Sequence, residues 1–170
     1  VDLVLELPTV WAVSSAETFA RGAVGILAAA GVVDVLSFGS ECGAADRLRQ
    51  VAACLNSPVY ESGVRRFVDE GMPFAAARQE VVRGILGPER SALLSTPNNN
   101  LGVESLRALD RMGSAIRPVT VRREGAPHDS LLVGETPPEF LSATQLRAFL
   151  EAEDWRAAEP YLPGGGAEVL

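Results

Sequence analysis

The chain has 170 residues, a formal net charge of −7, and 47% hydrophobic against 22% charged residues, a balance that builds one core of ordinary domain size and excludes a disordered tail. Its 15 cationic residues are all arginine, which excludes a catalytic lysine, a Schiff base and a P-loop lysine from these residues and leaves anion recognition to Arg, backbone N–H groups and helix N-termini. The acidic balance argues against a domain held to DNA or RNA by bulk charge, and no apolar run approaches the ~20 residues of a membrane helix.

Val1–Leu7 (VDLVLEL), bounded by Pro8, predicts a buried parallel strand. Ser14 and Glu17 fit an S-x-x-E capping box for a helix with Phe19, Ala23, Ile26, Leu27 and Ala30 on one face, stopped by Gly31. Val32–Phe38 predicts a second strand. Ala44–Asn56 predicts a helix with Leu48, Val51, Ala52 and Leu55 inward. Tyr60–Glu70 and a segment from Pro73 to Gly87 predict two more. The turn-rich run Ser95–Asn100 precedes a helix with Leu101, Leu106, Leu109 and Met112 inward and Gly113 as its stop. Ile116–Arg122 predicts a third strand, Glu124–Glu139 a loop, Ser142–Ala152 a helix, and Trp155–Ala158 a further turn. Gly164–Gly166 reads as linker. Strands alternating with helices imply an α/β fold, a parallel sheet with flanking helices, whose ligands sit beyond the carboxyl ends of the strands.

Several constellations could carry chemistry. Gly39 in Phe38-Gly39-Ser40-Glu41 lets backbone approach a flat ligand without a Cβ in the way; an ordinary strand-to-helix turn explains it too. An asparagine of Pro97-Asn98-Asn99-Asn100 could read a base or ribose edge, or merely cap a helix. Ser142 and Gln145 fit a capping box, which leaves Thr144 and Arg147 available for a phosphate grip at the same helix start. Arg107, Arg111, Arg117, Arg122 and Arg123 surround one acid, Asp110, as a solvated face or a grip on phosphates. His128-Asp129 could be an acid–base pair, but neighbours on a loop seldom face each other. The one histidine excludes a multi-histidine metal site, and no metal ligands are expected. Cys42 and Cys54 lack Cys-x-x-Cys spacing and read as reduced thiols, with a cytoplasmic location expected.

Six runs in one order, VDLVLELPTVWAVSSAETFARGAV, FGSE, PNNNLGVESLRAL, PVTVRREGAPHD, SATQLR and YLP, together resemble the bacterial tRNA(Met) cytidine acetate ligases. These belong to the nucleotidylyltransferase branch of the HUP-type α/β fold. The resemblance implies an incomplete Rossmann-like, ATP-binding domain over 1–163 with 164–170 as tail. It implies an ATP-dependent ligase that activates acetate as acetyl-adenylate and acetylates N4 of the wobble cytidine of elongator tRNA(Met), with Mg²⁺ offsetting phosphate charge. The family's ATP contacts fall on Gly39, Asn98 and Arg123, with Arg122 as the register counted back from His128, and on Ser142, Thr144 and Arg147. Arg107, Arg111, Arg117 and Arg122 are the expected tRNA contacts. The family's H-x-G-H signature is not in these residues, so the chain is expected to be an internal piece lacking that segment and the downstream domain, and inactive alone. Asn100 stands for an aliphatic residue and Pro127 for a tyrosine of the family. The alternatives are a nucleotidylyltransferase acting on a small molecule, or an inactive member that binds RNA or a partner.

Overall fold

A computed structural model of the chain describes residues 2–123, 141–162 and 164. The chain divides into two compact units, Val1–Arg123 and Glu124–Leu170. The predicted loop at 124–139 and most of the predicted tail lie outside the described residues.

The first unit runs α1 (Thr9–Ala12), α2 (Ala16–Ala30), β1 (Val35–Ser40), α3 (Ala45–Leu55), α4 (Pro58–Asp69), α5 (Phe74–Leu86), α6 (Pro88–Ser91), a 3₁₀ turn (Ala92–Ser95), α7 (Pro97–Arg111) and β2 (Arg117–Arg122). β1 and β2 pair in parallel, from Val35 opposite Arg117 to Ser40 opposite Arg122. A parallel pair cannot close through a tight turn, and the helices α3 to α7 supply the long connection. The α/β class with a parallel sheet follows the predicted alternation of elements.

The predicted strand at Val1–Leu7 is corrected: none of residues 2–7 is strand. Among the described residues the sheet has two strands, β1 and β2, and an apolar run becomes a strand only where another strand supplies ladder partners. Instead Leu5, Glu6 and Leu7 border a groove of about 190 Å³ with Ala23, Ile26 and Leu27 of α2. That arrangement explains a second difference. The fully buried side chains of α2 are Ala20 and Val24, one position on from the predicted Phe19 and Ala23. The helix is apolar on two sides, one toward the core and one toward the 5–7 segment. The cap of α2 is also one residue later than predicted. Ser15 Oγ accepts from Thr18 N at 3.4 Å, whereas Ser14 Oγ donates to Trp11 O at 2.6 Å and is spent on α1.

The core is helical and centred on α3 and α7. Leu48, Val51, Ala52 and Leu55 are all fully buried, the stripe that the 3.6-residue period predicts. Each of the larger side chains contributes about 1.5–3 kcal/mol on burial. They join Val24, Val81, Val82, Val103 and Leu106 in one cluster. On α7, Leu106 and Leu109 are inward as expected, Leu101 is half-buried, and Met112 is exposed beyond the last turn. Gly113 ends the element at φ +58°, which only glycine adopts without cost.

Gly102 marks where α7 crosses β1. A Cβ there would stand 2.6 Å from Phe38 Cε2 and 3.3 Å from Leu48 Cδ1. Gly102→Ala is expected to cost about 1–3 kcal/mol through overpacking, read as a lower urea midpoint at constant slope. An unchanged midpoint would mean that the Phe38 ring turns aside freely.

The second unit contains α8 (Ala143–Glu151), α9 (Trp155–Ala158) and a 3₁₀ turn (Glu159–Tyr161). The predicted capping box is complete: Gln145 N donates to Ser142 Oγ at 3.2 Å and Ser142 N donates to Gln145 Oε1 at 2.8 Å.

Candidate functional site

In the first unit the carboxyl ends of both strands meet a helix start. Gly39 is exposed and pairs with Val121. A Cβ on it would meet only Arg123 Cγ, at 3.7 Å, so the Arg123 stem passes beside bare backbone. Arg123 N extends the ladder by donating to Ser40 O at 2.8 Å. Ser40 is fully buried and shares a hydrogen bond with Thr120 Oγ1 at 2.7 Å, fixing the two strand ends together. Its hydroxyl also accepts from Gly43 N at 3.0 Å, which curls the following turn back. That turn lies on Arg122: a Cβ on Gly43 would come within 2.6 Å of Arg122 Cβ. Arg122 and Arg123 therefore leave the strand on different sides, one under the turn and one beside Gly39. Arg123 is exposed and has no carboxylate partner among the described residues.

Glu41 organises the asparagine run. Its Oε1 accepts from Asn98 N at 3.0 Å and from Asn98 Nδ2 at 2.8 Å, and its Oε2 accepts from Asn99 N at 2.6 Å. A carboxylate thus fills the N-terminus of α7, where unpaired N–H groups and the helix dipole favour negative charge. The run is the first turn of α7 rather than a turn before it, and its three members differ. Asn99 is buried and structural, accepting from Cys42 N at 3.0 Å and donating to Thr96 Oγ1 at 2.6 Å. Asn100 Oδ1 accepts from Arg78 Nη2 at 3.5 Å. Asn98 is half-buried, and its Oδ1 has no partner among the described residues. The sequence reading passed over Glu41; the signal was an acid directly after a strand end in an α/β pattern.

Burial pushes the Glu41 carboxyl up, but the hydrogen bonds from Asn98 side chain and backbone, from its own backbone and from Asn99 outweigh it, and its pKa lies below the ordinary 4.5. A carboxylate depressed in the folded state gives stability that is present above the unfolded pKa and lost as pH falls through the folded one. Melting temperatures of wild type and Glu41→Gln, followed from about pH 7 down to about pH 3, are expected to converge on the acid side. Parallel curves would show that Glu41 has no such linkage.

The five clustered arginines do not form one exposed face. Arg107 is buried, with Nε donating to Asn56 Oδ1 at 3.1 Å and Nη1 paired to Glu17 at 3.1 Å and Glu104 at 3.3 Å. Arg111 also donates to Asn56 Oδ1, at 2.9 Å, and pairs with Glu17 at 3.2 Å. Glu104 is buried too and pairs with Arg78 at 2.6 Å. Arg107 is thereby withdrawn from the expected surface into an internal network, which also removes much of the charge excess counted along the sequence. Arg117, Arg122 and Arg123 remain exposed.

In the second unit Ser142 is buried and committed to the capping box. Thr144 is half-buried, and exposed Arg147 donates to Thr144 Oγ1 at 3.4 Å. Thr144 and Arg147 are thus neighbours at the start of α8. His128-Asp129 lies outside the described residues. No group of three His, Cys, Asp or Glu able to hold a metal occurs among the described residues, and both cysteines are free thiols.

Comparison with known proteins gives a consistent result. A family model described as HIGH Nucleotidyl Transferase matches residues 1–170. The chain is 39% identical to a tRNA(Met) cytidine acetate ligase of Caldanaerobacter subterraneus subsp. tengcongensis, over 100% of this chain and 42% of that protein. It is 42% identical to one of Alkaliphilus metalliredigens, over 88% of this chain and 38% of that protein. Among solved structures, Thermotoga maritima TmcAL bound with alpha-thio ATP superposes with a TM-score of 0.85 at 33% identity, covering 99% of this chain and 40% of the other. The apo form of the same protein gives 0.89 at 33% identity, covering 99% and 41%. The chain spans about two fifths of the length of these relatives.

Proposed function

The chain belongs to the HIGH nucleotidyl transferase family, and from that premise we propose that it is the ATP-binding part of a tRNA(Met) cytidine acetate ligase. The reaction has two steps. Acetate attacks the α-phosphorus of ATP, giving acetyl-adenylate and pyrophosphate, and N4 of the wobble cytidine of elongator tRNA(Met) then takes the acetyl group with loss of AMP. The observation that carries this reading is the meeting of Gly39, Arg123 and the Glu41-held Asn98 at the carboxyl ends of parallel strands, where α/β folds bind ligands.

Each residue has a role in binding. Gly39 presents backbone to the flat face of a purine. Asn98 offers its Oδ1 as a hydrogen-bond acceptor to the nucleoside. Arg123 supplies a guanidinium free of any carboxylate to the phosphates. In the second unit, taken by itself, Thr144 and Arg147 with the N–H groups at the α8 start form an anion-binding helix start. Mg²⁺ bound together with ATP would offset negative charge on the phosphates, and Arg123 is the residue of the first unit that would share that task. Catalysis is positioning plus electrostatics, with no covalent enzyme intermediate. Exposed Arg111, Arg117 and Arg122 are candidates for the tRNA backbone. The reaction places the enzyme in the cytoplasm.

The test is exchange of labelled pyrophosphate into ATP by the intact protein, with and without acetate, together with N4-acetylcytidine formation in elongator tRNA(Met). Exchange that requires acetate, and acetylated tRNA, are expected. Exchange independent of acetate would favour a nucleotidylyltransferase acting on another small molecule. RNA binding with neither activity would leave a non-enzymatic module.

A further inference from the structure

The side chain of Asn98 has two faces of opposite hydrogen-bonding sense, and something must decide which a ligand meets. Glu41 decides it. The Asn98 backbone N–H and one Nδ2 hydrogen both point at one carboxylate oxygen, at 3.0 and 2.8 Å. Turning the carboxamide over would set Oδ1 against that oxygen, two acceptors at hydrogen-bond distance with no proton between them. One of the two Nδ2 hydrogens is thereby consumed inside the protein, and Oδ1, on the other side of the carboxamide, has no partner among the described residues. Glu41 is itself anchored by a third bond, from Asn99 N at 2.6 Å, and Asn99 is buried and tied to Cys42 and Thr96. The carboxylate therefore cannot swing away without opening the start of α7.

We infer that Glu41 is a positioning residue that locks the Asn98 carboxamide with Oδ1 outward, so that the site selects a nucleoside by a hydrogen-bond donor on its base or ribose. The inference rests on the reading of Asn98 as a nucleotide contact and adds to it the sense of the contact. It also orients the ligand. The N-terminus of α7 is filled by a carboxylate, so it repels phosphate and receives the uncharged end of the nucleotide, and the phosphates lie toward Arg123.

The experiment is calorimetric titration of the intact protein with ATP, inosine triphosphate, and the 2′- and 3′-deoxy forms of ATP, each lacking one candidate donor. In wild type one of the three is expected to bind about tenfold more weakly than ATP, the worth of one hydrogen bond of this kind. In Glu41→Ala that ratio should fall, because the released carboxamide is no longer held with Oδ1 outward; for inosine triphosphate it should fall close to one, because the carboxamide turns about χ2 and donates to the inosine O6. Glu41→Met, with the reach of Glu but no acceptor, reads the same ratio if Glu41→Ala does not fold. Glu41→Gln should keep the ratio while lowering thermal stability: its oxygen goes to the side with two donors, and its NH₂ is left facing Asn99 N–H. A merely structural cap would weaken ATP and all analogues by one factor. An unchanged ratio in a folded Glu41→Ala or Glu41→Met protein, a lost ratio in Glu41→Gln, or no discrimination by wild type would each overturn the inference. Asn98→Ala separates the two levels. If it binds ATP and every analogue as wild type does, the nucleotide reading of Asn98 itself is wrong, and the role of Glu41 goes with it.

Discussion

Arg123→Ala is expected to weaken ATP binding by about 1.5–3 kcal/mol, the range for hydrogen bonds to a charged group, or roughly 10- to 150-fold in Kd. The effect is this large because the Arg123 stem passes beside Gly39 and no carboxylate among the described residues pairs with its guanidinium. Arg117 sits opposite Val35 at the far end of β2, and Arg117→Ala should change ATP affinity little, whatever it does to RNA. Arg122→Ala is the sharper control. Arg122 is its neighbour in the chain but leaves the strand on the side of the Gly43 turn, so its loss should change ATP affinity little. Titration of the three variants in the intact protein checks the order. Loss of ATP binding in Arg122→Ala with Arg123→Ala unaffected would move the phosphate contact by one residue.

Glu104→Ala should be among the most damaging single changes in the first unit, costing about 3–5 kcal/mol. Its side chain is 1% exposed and pairs with both Arg78 of α5 and Arg107 of α7. Removing it leaves two guanidiniums in a poorly solvated place with a shortage of negative charge. Tyr60, buried nearby with its phenol pushed up by burial and held back by Arg78, would lose its ordered neighbour as well. Glu17 is the contrast. It pairs with Arg107 and Arg111 but is 46% exposed, so water replaces it and Glu17→Ala should cost about 1 kcal/mol or less. Urea denaturation of both variants tests the difference. Equal, small losses would show that the network is solvated and worth little.

What could be foreseen from sequence, and what could not, divides by distance along the chain. The inward stripe of α3, the start of α5 after Pro73, the Gly113 stop and the Ser142–Gln145 box are all local. Each is decided by residues within a turn or two, where helical period and capping chemistry act directly. The parallel pairing of β1 and β2 was also legible, because alternating strands and helices leave few other topologies. Three readings failed for want of a partner that local pattern does not reveal. Residues 2–7 have strand composition but no strand beside them among the described residues. Ser14 has the right spacing to cap α2 and is claimed by Trp11 instead. Arg107 looks like a surface cation until Glu17 and Glu104 are brought to it from other parts of the fold. Glu41 is the same lesson at the candidate site: its contact with Asn98 joins residues 57 apart. The motif positions point to Gly39, Asn98 and Arg123, but not to the acid that holds Asn98 in place.

The alternation of Arg122 and Arg123 has a consequence for how such a domain can diverge. Successive residues of an extended strand point to opposite sides, and Ser40 with Thr120 clamps the pairing just before them. Inserting or deleting one residue between that clamp and the strand end would bring the wrong arginine to the Gly39 side, whereas a change of two restores the side and shifts the group by about 6.6 Å. Length drift at this edge is therefore tolerated by parity rather than by size. A descendant lineage that takes an odd step has to re-site its arginine in the same event.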